Sequence, residues 1–243
     1  MIAEEKTPGV ASGLVGMLNV FIDPAATAKR IPAKLSWLWP LITLGIIYGV
    51  VGYLMMPYSG QLVDAAIAER SAQQGLRPEQ IENARNLAHT FSRAGAVINP
   101  VVLILALVIL AWLVSVMGSM TGARAKFRNV FSLMAACSLI QALQSIATYV
   151  VVRAKGDEIR SVEQLTPAFG LDIFLQNLHG PLFALVNFFS IFEIWYIVVL
   201  TVGLAALTKS SKGKAFAAIT PAWVLPLLVR MIQIAFTPGG SSS

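Results

Sequence analysis

Five long apolar runs, separated by short charged segments, decide what this chain can fold into. They cover residues 37–56, 97–120, 130–152, 182–207 and 215–236. A helix crosses a hydrocarbon core of about 30 Å with roughly 20 apolar residues, so each run is long enough to span a bilayer. Inside lipid the backbone has to satisfy its own polar groups, which selects helices here. The expected fold class is all-α: a polytopic membrane protein, a bundle of five transmembrane helices. Composition agrees. Of 243 residues 56% are hydrophobic and only 12% charged, against about 45–50% apolar and about 25% charged in a soluble domain.

The net charge of +6 belongs to loops beside the spans, which argues against nucleic acid as a partner. Ten basic residues fall on one side: Lys6, Lys29, Arg30, Lys34, Arg124, Lys126, Arg128, Lys209, Lys212 and Lys214. Three acids share that side: Glu4, Glu5 and Asp23. The other side carries seven basic residues and eight acids. Short loops rich in Lys and Arg stay in the cytoplasm, so the expected N-terminus is cytoplasmic and the C-terminus outside. No apolar stretch with a cleavage site precedes residue 37, so the first span is expected to insert the chain.

Residues 1–36 read as a cytoplasmic segment with short amphipathic helices. Leu14, Met17, Leu18 and Phe21 form an apolar stripe, and Asp23-Pro24 opens a second helix ending in Lys29-Arg30. An Asp cap and a first-turn Pro favour that start. These helices lie either on the inner leaflet or against the bundle. Outside, residues 61–94 read as two helices broken at Gly75, and 166–178 as an interfacial helix through Phe169, Ile173, Phe174 and Leu178. Pro57, Pro100 and Pro181 are expected at helix ends, and Pro226 inside the fifth span. Residues 237–243 read as an appended flexible linker.

Little here resembles catalysis. His89 and His179 read as solvated loop residues, Cys137 as a small buried hydrophobe. There is no Gly-x-Ser-x-Gly elbow and no phosphate-binding loop. No catalytic, cofactor-binding or metal-ligating residues are expected, and no cofactor. Polar residues inside the spans are the informative ones. Gln141, Gln144, Ser145 and Thr148 share a face of the third span, as do Asn187, Ser190 and Glu193 of the fourth. Ionisable groups in a membrane face the bundle or a water-filled cavity. The expected cluster is Gln141, Gln144, Asn187, Glu193 and Arg230, with Glu193 paired to Arg230. It serves either as a structural tie between three helices or as a polar pathway. Gly45-x-x-x-Gly49 and Gly118-x-x-x-Gly122 are candidates for close helix packing.

Three stretches resemble the Ypt-interacting-protein (YIP) family of five-span membrane proteins. Phe21-Ile22-Asp23-Pro24, with Ile31-Pro32 and Trp37-Leu38-Trp39-Pro40-Leu41, looks like the family's opening. Lys126-Phe127-Arg128-Asn129-Val130-Phe131 leads into a span. Phe192-Glu193-Ile194-Trp195, Gly203-Leu204-Ala205 and Ser211-Lys212-Gly213-Lys214-Ala215-Phe216 close the pattern. The resemblance implies a non-enzymatic membrane scaffold. Eukaryotic members act in vesicle transport with Rab-type GTPases and carry a longer cytosolic N-terminal region. This chain looks more like a prokaryotic member of the bacterial cytoplasmic (inner) membrane. There an accessory role beside a transporter complex is implied. The charge count, not the resemblance, makes Arg124, Lys126, Arg128, Lys209, Lys212 and Lys214 the candidate cytoplasmic contact. The rival reading is a small transporter, channel or lipid-handling protein using the polar face of spans three to five. Membrane lipids are partners in either case, and self-association stays open.

Overall fold

The computed structural model describes residues 18–31, 37–156, 165, 167, 169–170, 185–186 and 188–236. Its helices are α1 (Pro24–Arg30), α2 (Leu38–Gln74), α3 (Pro78–Thr121), α4 (Phe127–Cys137), α5 (Leu139–Lys155), α6 (Ile191–Thr208) and α7 (Lys212–Phe236), with a 3-10 turn at Asn19–Phe21. No strand occurs among the described residues, only an isolated bridge between Gly170 and Ser190. Four stretches there are long and apolar enough to cross a membrane: Leu38–Ala68, Ile98–Thr121, Phe127–Lys155 and Ile191–Thr208. The fifth expected run falls on α7, whose side chains are described only in part. The chain is a polytopic helical membrane protein.

Several boundaries differ from expectation. Pro57 and Pro100 lie inside α2 and α3, not at helix ends. A proline removes one backbone bond, and the helix-forming Ala, Glu, Gln and Arg beyond it carry the helix on. The first two apolar stretches therefore run unbroken into the hairpin at Gly75, as helices of 37 and 44 residues. The turn falls at Gly75, whose φ of +61° suits a residue without Cβ. Run 130–152 has a local irregularity at Ser138 between α4 and α5: its amide keeps the ladder bond to the Met134 carbonyl at 2.8 Å and its hydroxyl adds a second bond to the same oxygen at 2.9 Å, a pattern that bends helices. The fourth span starts at Ile191, nine residues later than expected. There Ser190 is extended and caps α6, and Ile191 N donates to Phe169 O at 2.9 Å. That pairing also leaves Phe169 and Gly170 outside any helix, unlike the helix expected over 166–178. Ile173, Phe174, Leu178, His179 and Pro181 lie outside the described residues.

The chain divides into two compact units: residues 1–43, 105–141 and 168–243, and residues 44–104 and 142–167. In the first unit α1, α4 and α7 all pack on α6. The whole stretch Val130–Cys137 is buried, with Leu200, Leu204 and Ile219. Gly203 admits a close approach of α4 to α6: a Cβ there would sit 2.8 Å from Leu133 Cδ1. The sequence instead pointed to Gly45, Gly49, Gly118 and Gly122. No described atom lies within 4 Å of a Cβ at Gly45 or Gly49, Gly118 faces the carbonyl of Ala123 in its own turn, and Gly122 faces Lys214. A small-residue spacing marks only where approach is permitted, and the apposed chain decides whether it happens. In the second unit Asp64 of α2 meets Arg85 Nε at 3.5 Å and His89 Nε2 at 3.3 Å on α3. His89 is thus a helical residue at a helix–helix contact rather than a loop residue.

The N-terminal segment packs inward. Val20, Thr27 and Ala28 are buried and Phe21 meets Trp195 at 5.6 Å, while Leu18 and Ile22 stay exposed. Asp23 Oδ1 accepts from Ala26 N at 2.9 Å, and Thr27 Oγ1 donates to Asp23 O at 3.0 Å. Losing an N-cap carboxylate costs about 1 kcal/mol. Asp23→Ala should therefore speed amide hydrogen exchange in α1 while leaving α4 and α7 unchanged. Unchanged exchange in α1 would mean that packing on α6 alone holds it.

Candidate functional site

Glu193 is the one acid buried inside the helical spans of the described residues, 9% exposed. The sequence places it in the first turn of α6 through a Ser190-x-x-Glu193 pattern. Ser190 Oγ accepts from Glu193 N at 3.1 Å, as in a capping box. The Glu193 carboxylate bridges to two other helices. Gln141 Nε2 of α5 donates to Oε2 at 3.1 Å, and Trp223 Nε1 of α7 donates to Oε1 at 2.8 Å. Three helices thus meet at one carboxyl group, each of whose two oxygens accepts a hydrogen bond.

Aromatic rings close the site. Trp223 meets Phe188 at 5.5 Å and Phe189 at 5.7 Å, and Phe169 meets Phe192 at 5.5 Å. Of the expected cluster, the structure brings Gln141 to Glu193. Gln144 is half-buried one turn further along α5. Arg230 lies on α7 seven residues after Trp223; its side chain, and Asn187, lie outside the described residues, and so does the expected Glu193–Arg230 pair. Trp223 was missed. Its signal was an indole in the middle of the fifth apolar run, since tryptophan usually sits in the interfacial belt. No three of His, Cys, Asp and Glu cluster among the described residues. Among the described residues the site offers hydrogen bonding and shape.

The basic loops form a second candidate. Arg124, Lys126, Arg128, Lys209, Lys212 and Lys214 are all exposed. The two turns come together, since the Lys214 side chain passes over Gly122: a Cβ there would sit 3.7 Å from its Nζ. Lys209 ends α6 in the left-handed conformation, φ 53°, so the link to α7 is a tight turn. Arg128 lies in the first turn of α4, and Lys212 and Lys214 in the first turn of α7. Cations at a helix N-terminus oppose the dipole by about 0.3–1 kcal/mol each. These residues are placed against local stability.

A family model described as the Yip1 domain matches residues 18–232. The chain belongs to the Yip1 domain family. The Yip1 match runs from the N-terminal turn through most of α7, so it includes both the Glu193 site and the basic loops. The chain is also 25% identical over 234 residues to the membrane protein YknW of Bacillus subtilis (strain 168), covering 96% of this chain and 93% of that one. The pairing agrees with a prokaryotic Yip1 member. No solved structure matches.

Proposed function

We propose that this Yip1-family protein is a non-enzymatic accessory or scaffold subunit of a membrane-transport or membrane-organising complex. It has five spans in the bacterial cytoplasmic membrane, its N-terminus in the cytoplasm and its C-terminus outside, and α7 is the fifth span. The observation that carries this reading is the pair of basic turns. Six exposed cations, without an acid among them, sit on adjacent turns where helix dipoles disfavour three of them. Such a surface fits an acidic face of a membrane partner. The Glu193 site acts as the tie that keeps α5, α6 and α7 in register beneath it. Gentle extraction of the tagged protein from native membranes, with mass spectrometry of proteins and lipids, should return a stoichiometric membrane-protein partner. Recovery of the chain alone, or with one enriched lipid, would overturn the reading.

One observation favours a transport or lipid-handling role instead. Non-helical backbone at Phe169–Gly170 and Phe189–Ser190 adjoins the buried carboxylate, and irregular backbone at membrane depth often lines a path. That role requires Glu193→Gln to stop flux or lipid binding in a protein that still folds.

A further inference from the structure

Two ring contacts fix how the N-terminal segment runs along the first unit, and they lie at different levels of it. Phe21 meets Trp195 of α6 at 5.6 Å, and Trp37 meets Phe131 of α4 at 6.1 Å. Two contacts between the helices give the scale. Leu133 lies against Gly203, and Gln141 bonds Glu193. As one chain advances from 133 to 141, the facing position on α6 falls back from 203 to 193, so the two run antiparallel. Phe131 therefore stands level with Ala205, close to the basic turns. Phe21, at Trp195, stands about 15 Å further along the axis, since each helical residue rises about 1.5 Å.

The segment between those contacts agrees with a climb of that size. α1 packs on α6, and the 3-10 turn before it touches α4. The seven residues of α1 span about 10 Å of the 15 Å. Val20, Thr27, Ala28 and Ile31 are buried. Charge is sorted along the climb as well. Asp23 is the single ionisable residue from Leu18 to Ala28, and its carboxylate accepts from the Ala26 amide at 2.9 Å. An acid at membrane depth is costly, and this cap bond offsets part of the cost. Lys29 and Arg30 follow at the end of α1 nearer the basic turns. There the helix dipole favours them, and their long side chains reach toward the headgroups.

We infer that the N-terminal segment is re-entrant: it holds Phe21 inside the hydrocarbon beside α6 and returns through α1 to the level where α2 begins. α6 is long and apolar enough to cross a membrane. Trp195 lies thirteen residues before its last residue, Thr208, a distance of about 20 Å that a tilt of about 20° barely shortens. The headgroup layer takes up only about 5–7 Å of that. A helix lying flat on the surface would hold Phe21 and Trp37 at one depth, which the two ring contacts exclude. Non-helical backbone is tolerated at such depth where protein buries it, and Val20 in the 3-10 turn is 0% exposed. That the segment enters and leaves on one side rests on the cytoplasmic N-terminus proposed above. Its depth does not, and neither depends on a partner, so failure here is separate from failure of the scaffold reading.

Cysteine pairs in a Cys137→Ala background of unchanged melting midpoint test the depth in native membranes. With a short bifunctional thiol reagent, Phe21→Cys should cross-link to Trp195→Cys. It should not cross-link to Ala206→Cys, which lies on the same side of α6 three turns nearer the basic end. Trp37→Cys with Phe131→Cys is the positive control. Labelling of sealed vesicles with a membrane-impermeant maleimide then tests the path. Lys6→Cys and Lys212→Cys should react from the same side, and Ile22→Cys from neither until detergent is added. Cross-linking of Phe21→Cys to Ala206→Cys as strong as to Trp195→Cys, ready labelling of Ile22→Cys, or labelling of Lys6→Cys and Lys212→Cys from opposite sides would overturn the inference.

Discussion

Replacing Trp223 by alanine should be among the most damaging single changes in the membrane bundle. Truncating a large packed aromatic costs about 3–5 kcal/mol. Here it also strips contacts from Phe188 and Phe189 and leaves Glu193 Oε1 without its donor. Trp223→Phe separates the two contributions, because it keeps most of the ring volume and removes the N–H. An interhelical hydrogen bond within a membrane is worth about 0.6–1.7 kcal/mol, so the phenylalanine variant should lose that much and no more. A double-mutant cycle with Glu193→Gln should return a coupling of the same size. Thermal or SDS-induced unfolding in detergent reads all three. A silent Trp223→Phe, or additive losses in the cycle, would show that Trp223 acts by packing alone.

Gly170→Ala should rank beside it. A Cβ at Gly170 would collide with the carbonyl of Phe189, and no flexible side chain is there to yield. Overpacking typically costs about 1–3 kcal/mol. Pushing the strand-like pair apart would also break the bond from Ile191 N to Phe169 O, worth about 1 kcal/mol. Gly203→Ala is the control. Its Cβ would meet Leu133 Cδ1 at 2.8 Å, the mobile end of a side chain that can rotate. The same unfolding assay should show Gly170→Ala as the more destabilised of the two. Equal losses would mean that the pairing at Gly170 relaxes freely.

Much of this was legible in the sequence because lipid leaves few choices. Apolar runs of this length have to be helical, and the Asp23-Pro24 start of α1 has local chemistry that reads directly. Glu193 and Gln141 were also legible, since a carboxylate and an amide inside apolar runs have to find partners in the bundle. Trp223 was legible only as an indole away from the interfacial belt, because its N–H shows its purpose only beside an acceptor. The late start of α6 depended on a pairing between Phe169–Gly170 and Ser190–Ile191, twenty residues apart, which no local pattern encodes. Pro57 and Pro100 misled for a different reason. Proline is a strong stop in water, but helix-forming residues on both sides outweigh a single missing hydrogen bond.

The account assigns the basic turns to recognition and the Glu193 site to architecture. The most direct test compares two variants against the wild type in partner capture from native membranes. One changes Arg124, Lys126, Lys212 and Lys214 to glutamine, with fusion reporters confirming that topology is retained. The other is Glu193→Gln. The account predicts that the loop variant loses the stoichiometric partner while Glu193→Gln keeps it. A partner retained by the loop variant and lost on Glu193→Gln would contradict it and place the function at the buried carboxylate.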